Sequence, residues 1–315
     1  MSKQSTKHKV RSALNIAIQM DPPASLQFAT DTTVRLGLEA QARGYTLWYY
    51  TPDKLTYDKG DIVAQASRIA FHNNPEHFFD IGESARLDLR MMDVVLLRQD
   101  PPFDMAYITT TYLLEMLVPQ VLVANAPASV RNLPEKLFPA QFKEFMPPTL
   151  VTANMDEMVA FHREYKDIVV KPLYGFAGHG VRRITAGDAL PEPQGDMRML
   201  QPFLPEVKTG DRRIILVDGE VGGIMARIPA EEEFRANFRV GGHAEPATMT
   251  ARQQAMCEAL KPALKTHGLI LAGIDCIGDY LTEINITSPT GIPAMNRLCN
   301  LTLEARVWDA IERRL

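Results

Sequence analysis

Asp275, Glu283 and Asn285 are the most informative chemical groups in this 315-residue chain. Asp275 lies in Gly273-Ile274-Asp275-Cys276-Ile277, and the other two lie in Leu281-Thr282-Glu283-Ile284-Asn285. Residues two apart on a strand share a face. Glu283 and Asn285 therefore present oxygens together, and a hairpin around Gly278-Asp279 brings Asp275 beside them. Two carboxylates and an amide oxygen suit Mg²⁺, which takes hard oxygen ligands along with nucleotide phosphates. The same spacing also describes the solvent-facing side of a sheet. Ile274, Cys276 and Ile284 between them are apolar, so pattern alone leaves both readings open.

Lys171 ends the apolar run Ile168-Val169-Val170, immediately before Tyr174-Gly175-Phe176-Ala177-Gly178-His179-Gly180. Glycines let the backbone approach a ligand and turn N–H groups toward phosphate, and a lysine there can meet phosphate as a point charge. The alternatives are a plain hairpin tip and a strand-end lysine that snorkels. The stretch lacks the Gly-Lys-Ser/Thr of a Walker loop. It joins two strands instead of opening a helix, which excludes a dinucleotide fingerprint.

The elements that must hold these groups fall into three stretches. Residues 1–12 read as a flexible tail. Strands at Leu14–Gln19, Tyr45–Tyr50, Val94–Arg98 and Val121–Ala124 alternate with helices at Thr32–Arg43 and Ala106–Leu117, the pattern of a doubly wound, mostly parallel sheet over 1–131. Loops at the carboxyl ends of such strands usually carry ligand sites, which draws attention to Met20-Asp21-Pro22-Pro23 and Arg98–Phe103. Prolines in Asn132–Pro148 mark a boundary. A second unit, 132–202, has a helix opened by Asn154 and the strands Asp167–Lys171, Val181–Ile184 and Met197–Gln201. A third, 203–315, has hairpins around Asp218-Gly219 and Gly278-Asp279. It also has a polar loop at Glu231–His243, a helix opened by a capping box at Thr250–Gln253, and a last helix running to Leu315.

Composition narrows the function. The chain is 46% hydrophobic and 23% charged, enough to bury a core. Its net charge of -4 argues against binding nucleic acid. Three scattered cysteines fit neither a disulfide scaffold nor a zinc site and point to a reducing, cytoplasmic setting. No apolar run is long enough to span a membrane. The lone loop histidines His179 and His243 read as solvated, and Met91, Met92 and Trp48 as packing residues.

Taken together, the motifs resemble the ATP-grasp ligases, and among them the bacterial glutathione synthetases. The matching stretches are Met20–Pro22, Leu38–Tyr45, Asp100–Asp104, Asn132–Phe138, Val170–Leu173, Val217–Glu220, Ala226–Pro229 and Leu281–Thr290. They follow the family order over almost the whole chain, and the last is highly specific. The resemblance implies an amino-terminal α/β domain followed by a two-part α+β ATP-grasp domain, with nucleotide and metal between its two parts.

It also implies roles. Lys136 and Lys171 would bind ATP phosphates, with Tyr174, Gly175, Gly178 and Gly180 closing over them. Gln201, Phe203 and Leu204 would line the adenine pocket, and Asp211 would face the nucleotide. Asp275, Glu283 and Asn285 would hold Mg²⁺, with Mn²⁺ as an alternative. Arg213 and Arg227 would be catalytic, and Arg235 and Asn237 would meet substrate carboxylates. Asp100, Pro101, Gly241, Gly242, Ser288, Pro289 and Thr290 would shape the substrate sites. The substrates implied are γ-glutamylcysteine and glycine, and the assembly implied is a homo-oligomer. Departures from the family pattern are Gln99, where a basic residue is expected, Phe176 and Ala177 in the glycine turn, and Glu231–Glu233, which are expected to face solvent. Those altered loops leave room for a ligase of other substrates. A non-catalytic nucleotide-binding protein on the same fold is the remaining alternative, and the Lys171, Asp275, Glu283 and Asn285 set argues against it.

Overall fold

The computed structural model describes residues 13–176, 178–230, 233–236 and 241–315. The expected tail at 1–12, together with Ala177, Glu231, Glu232 and Asn237, lies outside the described residues.

The amino-terminal sheet comprises β1 (Asn15–Gln19), β2 (Thr46–Tyr50), β3 (Leu55–Asp58), β4 (Asp61–Phe71), β5 (Phe79–Asp88), β6 (Val94–Leu97) and β7 (Leu122–Ala124). Four strands run parallel in the order β2-β1-β6-β7. The helices α1 (Thr32–Ala42), α2 (Met105–Glu115) and α3 (Pro127–Asn132) connect or follow them. Asp31 and Asp104 cap α1 and α2 by accepting from Thr33 and Tyr107 N–H groups. The expected mostly parallel sheet is corrected on one side, where β3, β4 and β5 add antiparallel strands beyond β2. Sequence reading passed over them because β5 is a largely exposed edge strand with little apolar alternation.

The middle sheet holds β8 (Leu150–Thr152), β9 (Ile168–Pro172), β10 (Arg182–Ile184) and β11 (Arg198–Pro202) in the order β10-β9-β11-β8. Helix α4 (Met155–Tyr165) packs on it through Met158 and Phe161, and Asn154 caps it. The glycine turn does join two antiparallel strands, β9 and β10.

The carboxyl-terminal sheet is antiparallel in the order β14-β13-β12-β15-β16: β12 (Asp211–Val217), β13 (Glu220–Ile228), β14 (His243–Pro246), β15 (Leu271–Ile277) and β16 (Tyr280–Asn285). Strand β14 begins at His243, where a loop was expected to end. Asp218 and Gly219 both take positive φ, 55° and 74°, as a tight hairpin turn requires. The helix α5 (Ala251–Thr266) starts with the expected Thr250–Gln253 capping box. The single last helix is corrected to two, α6 (Ile292–Cys299) and α7 (Leu303–Glu312), because Asn300 adopts a left-handed conformation and stops the first.

Helix α7 returns to the amino-terminal sheet. Trp308 is fully buried there, donates to the Leu36 carbonyl at 2.8 Å and meets Tyr45 edge-on. Burying such a side chain is worth roughly 1.5–3 kcal/mol, so this contact helps fix the first sheet against the last. No helix among the described residues is long and apolar enough to cross a membrane.

Candidate active site

The site is built on the inner ends of all three sheets. Register places Arg213 on β12 directly between Met225 on β13 and Asp275 on β15, and pairs Asp275 with Glu283 on β16. The three oxygen-bearing residues therefore share one face, and that face is covered: Asp275 is 5% exposed. The solvent-facing alternative is thereby removed.

Asp275 binds Arg213 through both carboxylate oxygens, at 2.6 and 2.9 Å, and its Oδ2 also lies 2.9 Å from Arg227 Nη2. Arg227 reaches Asp211 as well. The two acids share the two arginines unequally. Burial acts upward on the Asp275 carboxyl, but Arg213 and Arg227 hold it below the usual carboxylate range. Burial pushes Asp211 up, with Arg227 only partly offsetting it. Asn285 donates to Asp275 and to the Gly273 carbonyl, both at 3.2 Å.

Two lysines approach from the other side. Lys136 Nζ lies 3.5 Å from Glu283 Oε1 and donates to the Gly175 carbonyl at 2.5 Å. Lys171 donates to Gln201 Oε1 at 2.8 Å, and Gln201 in turn donates to Thr149. Burial pulls the Lys171 pKa down while Glu283 opposes it. The lysines thus stand partly desolvated, where a phosphate would interact more strongly than in water.

These groups line one continuous cleft. Val169, Phe203, Leu204 and Ile277 form an apolar slot at one end, followed by Lys171, Arg213, Arg227, Arg235 and Glu283. Asp100, Pro101, Ser288, Pro289 and Thr290 close the other end. Asp211 Oδ1 and Arg227 Nε are buried without partners among the described residues, the state expected of groups that await a polar ligand. The all-oxygen donors of Asp275, Glu283 and Asn285 fit a hard divalent cation.

The glycine turn lies over the cleft. Arg235 donates to the Gly178 carbonyl at 3.2 Å, and Tyr174 stacks on Phe103 at 6.2 Å. Gly178 lines the cleft, whereas Gly180 packs its Cα side toward Pro172. Glu233 corrects an expectation. It does not face solvent; its carboxylate takes Arg235 at 2.5 Å and two backbone N–H groups, because an acid beside a partly covered arginine is held by the charge. Gly241 and Gly242 precede β14 and do not line the cleft as described. His179 and His243 are exposed as expected, whereas Met91 is 72% exposed and does not pack.

Two residues received no role of their own from the sequence. Glu135, buried next to Lys136, accepts from Ile286 N, Thr287 N and Thr287 Oγ1 through one oxygen, pinning the exit of β16. Burial pushes its carboxyl up. Arg98 is buried at the end of β6 and donates to Thr33 Oγ1 and the Pro289 carbonyl, while Ser288 Oγ donates to the Arg98 carbonyl. The only local signal for either was its place beside a motif residue.

Comparison with known proteins agrees with this geometry. Residues 14–131 match the family model described as prokaryotic glutathione synthetase, N-terminal domain, and residues 135–300 match prokaryotic glutathione synthetase, ATP-grasp domain. The chain is 48% identical over 307 residues to the glutathione synthetase of Rhodopseudomonas palustris, covering 95% of this chain and 98% of that protein. It is 46% identical to that of Agrobacterium fabrum (95% and 97% covered) and 38% identical to that of Vibrio vulnificus (96% and 98%). Among solved structures, the ATP-grasp ligase PsnB with its minimal precursor has a TM-score of 0.64 at 17% identity, covering 96% of this chain and 99% of that one. The D-cycloserine synthetase DcsG has a TM-score of 0.65 at 15% identity, with 96% and 100% covered. These two likenesses show the fold. Matched over nearly its whole length by both family models and by relatives well above 30% identity, the chain belongs to the prokaryotic glutathione synthetase family of ATP-grasp ligases.

Proposed function

We propose that this chain joins the cysteinyl carboxylate of γ-glutamylcysteine to the amine of glycine, consuming ATP and releasing ADP and phosphate. The observation that carries the reading is the convergence of Lys136, Lys171 and Glu283 with the Arg213–Asp275–Arg227 cluster in one covered cleft.

A carboxylate is a poor electrophile. Transfer of the γ-phosphoryl group of ATP onto the substrate carboxylate gives an acyl phosphate, which the amine attacks with loss of phosphate. Lys136 and Lys171 hold the phosphates, and the apolar slot of Val169, Phe203 and Leu204 takes the base. Asp211 sits beside the phosphate chain. Asp275, Glu283 and Asn285 would hold Mg²⁺, or Mn²⁺ in its place. When bound, the cation supplies charge neutralisation and polarises the phosphoryl oxygens. Arg213 and Arg227 face the charge that develops as the phosphoryl group moves. Arg235, with Asn237, serves the carboxylates of the peptide. Asp100, Pro101 and Ser288–Thr290 wall the acceptor end, and Arg98 sets the position of that wall.

An acyl phosphate hydrolyses if wet. The turn through Tyr174, Gly175 and Gly178 is latched by Lys136, Arg235 and Phe103, and it excludes water from the reacting atoms. Residues 1–131, 132–202 and 203–315 act as three units, in a cytoplasmic homo-oligomer. Phosphate release from ATP tests the reading: it requires γ-glutamylcysteine and glycine together, and alanine replaces glycine poorly. Equal release with neither, or efficient ligation of another acid and amine, overturns the substrate assignment.

A further inference from the structure

The hairpin joining β4 to β5 carries a second cluster of chemical groups, none of which lines the ligase cleft. His72 follows the last residue of β4, His77 ends the turn and Asp80 is the second residue of β5. His72 Nε2 lies 2.8 Å from Asp80 Oδ2, and His77 Nε2 lies 2.8 Å from Asp80 Oδ1. The two imidazoles stack at 5.6 Å with 13° between their planes. The turn beneath them is well braced. His72 N donates to the Phe78 carbonyl, His77 N donates to the Asn74 carbonyl, and Asn74 Oδ1 accepts from Glu76 N. Phe78 sits against Phe79 and Phe28 and anchors the tip.

We propose that His72, His77 and Asp80 form a binding site for a divalent transition cation of the Zn²⁺, Ni²⁺ or Cu²⁺ class. Two imidazole nitrogens and one carboxylate oxygen are the donors such ions prefer, whereas Mg²⁺ takes oxygen ligands and gives up its waters reluctantly. The ligating atoms all lie within 4.8 Å of one another. With metal–ligand bonds of about 2.0–2.2 Å and tetrahedral angles, two ligands stand about 3.3–3.6 Å apart. The widest pair must therefore close by up to about 1.5 Å, which exposed side chains on a braced hairpin do by side-chain rotation. Both histidines already turn the same ring nitrogen toward one carboxylate. Three protein ligands leave a coordination position for water.

The test is a Zn²⁺ titration of the untagged full-length protein in excess Mg²⁺, which keeps the hard-oxygen cleft supplied with its own ion. One equivalent should bind. Loss of a mere hydrogen-bond partner of a metal ligand weakens binding by about 10–100-fold, so His72→Ala, His77→Ala and Asp80→Asn should each weaken Zn²⁺ at least that much. Ligase turnover with Mg²⁺ should stay unchanged in all three. With Cu²⁺, electron paramagnetic resonance should show two coupled nitrogens, reduced to one in His77→Ala. Absence of Zn²⁺ binding, or binding of the same strength in the variants, would overturn the site.

Discussion

Arg213 and Asp275 stand directly opposite on β12 and β15 and share a bidentate ion pair of 2.6 and 2.9 Å with both side chains buried. The pair anchors the charge pattern of the cleft, since Arg227 and Asn285 also converge on Asp275. Asp275→Asn removes the charge and leaves two buried arginines facing an amide. Breaking a buried pair in this way costs about 3–5 kcal/mol. The variant should lose that much in chemical denaturation and lose ligation with it. A variant of wild-type stability would mean that the pair contributes nothing to the fold.

Gly273 is required by that arginine. A Cβ at this position would lie 2.8 Å from Arg213 Nη1 and 3.3 Å from its Cδ. The guanidinium cannot simply swing away, because Asp275 and the Thr290 carbonyl hold it. Gly273→Ala should fold yet lower kcat/KM by at least about tenfold, the effect of a 1.4 kcal/mol loss. Wild-type kinetics would show that the position of Arg213 does not matter.

Lys171 is held in the cleft against its own desolvation, which lowers its pKa. The charged form is therefore penalised in the folded chain, and removing it relieves the fold while harming the ligand. Lys171→Met should weaken ATP binding by about 1.5–3 kcal/mol, the range for hydrogen bonds to charged groups. Its melting temperature without ligand should match or exceed that of the parent. Calorimetry showing unchanged nucleotide affinity would remove Lys171 from the phosphate site.

The parts of this arrangement that were legible in sequence are the local ones. Strand β16 begins and ends where the Tyr280–Asn285 alternation does, and the Thr250–Gln253 capping box opens α5 as its spacing requires. Convergence of Lys136 with Glu283 was accessible only through family resemblance, because 147 residues separate them and no periodicity links the two. The fork from Arg213 to Asp275 and the anchoring roles of Glu135 and Arg98 depend on cross-strand register and on backbone partners. A single residue's type carries none of that information. Strands β3 to β5 are added by pairing with β2 and with one another: β3 and β5 alternate weakly, whereas the apolar run of β4 is buried but its place is set by its partners.

Acid stability tests a contact far from the cleft. Asp218 pairs with Arg314 at 2.5 Å and Arg313 at 3.3 Å. Partial burial acts upward on its carboxyl, but Arg314 and Arg313 hold it below the usual range. A lowered folded pKa means that the stabilisation is present above the unfolded value of about 3.9 and lost as pH falls through the folded one. Asn tolerates the positive φ at this turn. Asp218→Asn should therefore cost about 0.5–1 kcal/mol near neutrality, and the cost should shrink as pH falls through the folded carboxyl's lowered pKa, read from urea unfolding across pH. A difference that does not change with pH would show that the carboxylate charge is irrelevant there.

The most direct test of the account follows an oxygen atom. γ-Glutamylcysteine labelled with ¹⁸O in its cysteinyl carboxylate is incubated with the protein, ATP, Mg²⁺ and glycine, and the released phosphate is analysed by mass spectrometry. Attack of that carboxylate on the γ-phosphorus places one of its oxygens in the bridge, and attack of the amine then releases it with phosphate. One ¹⁸O should appear in phosphate for each peptide bond formed. Unlabelled phosphate alongside new tripeptide would contradict activation through an acyl phosphate, and labelled phosphate without tripeptide would contradict glycine as the acceptor.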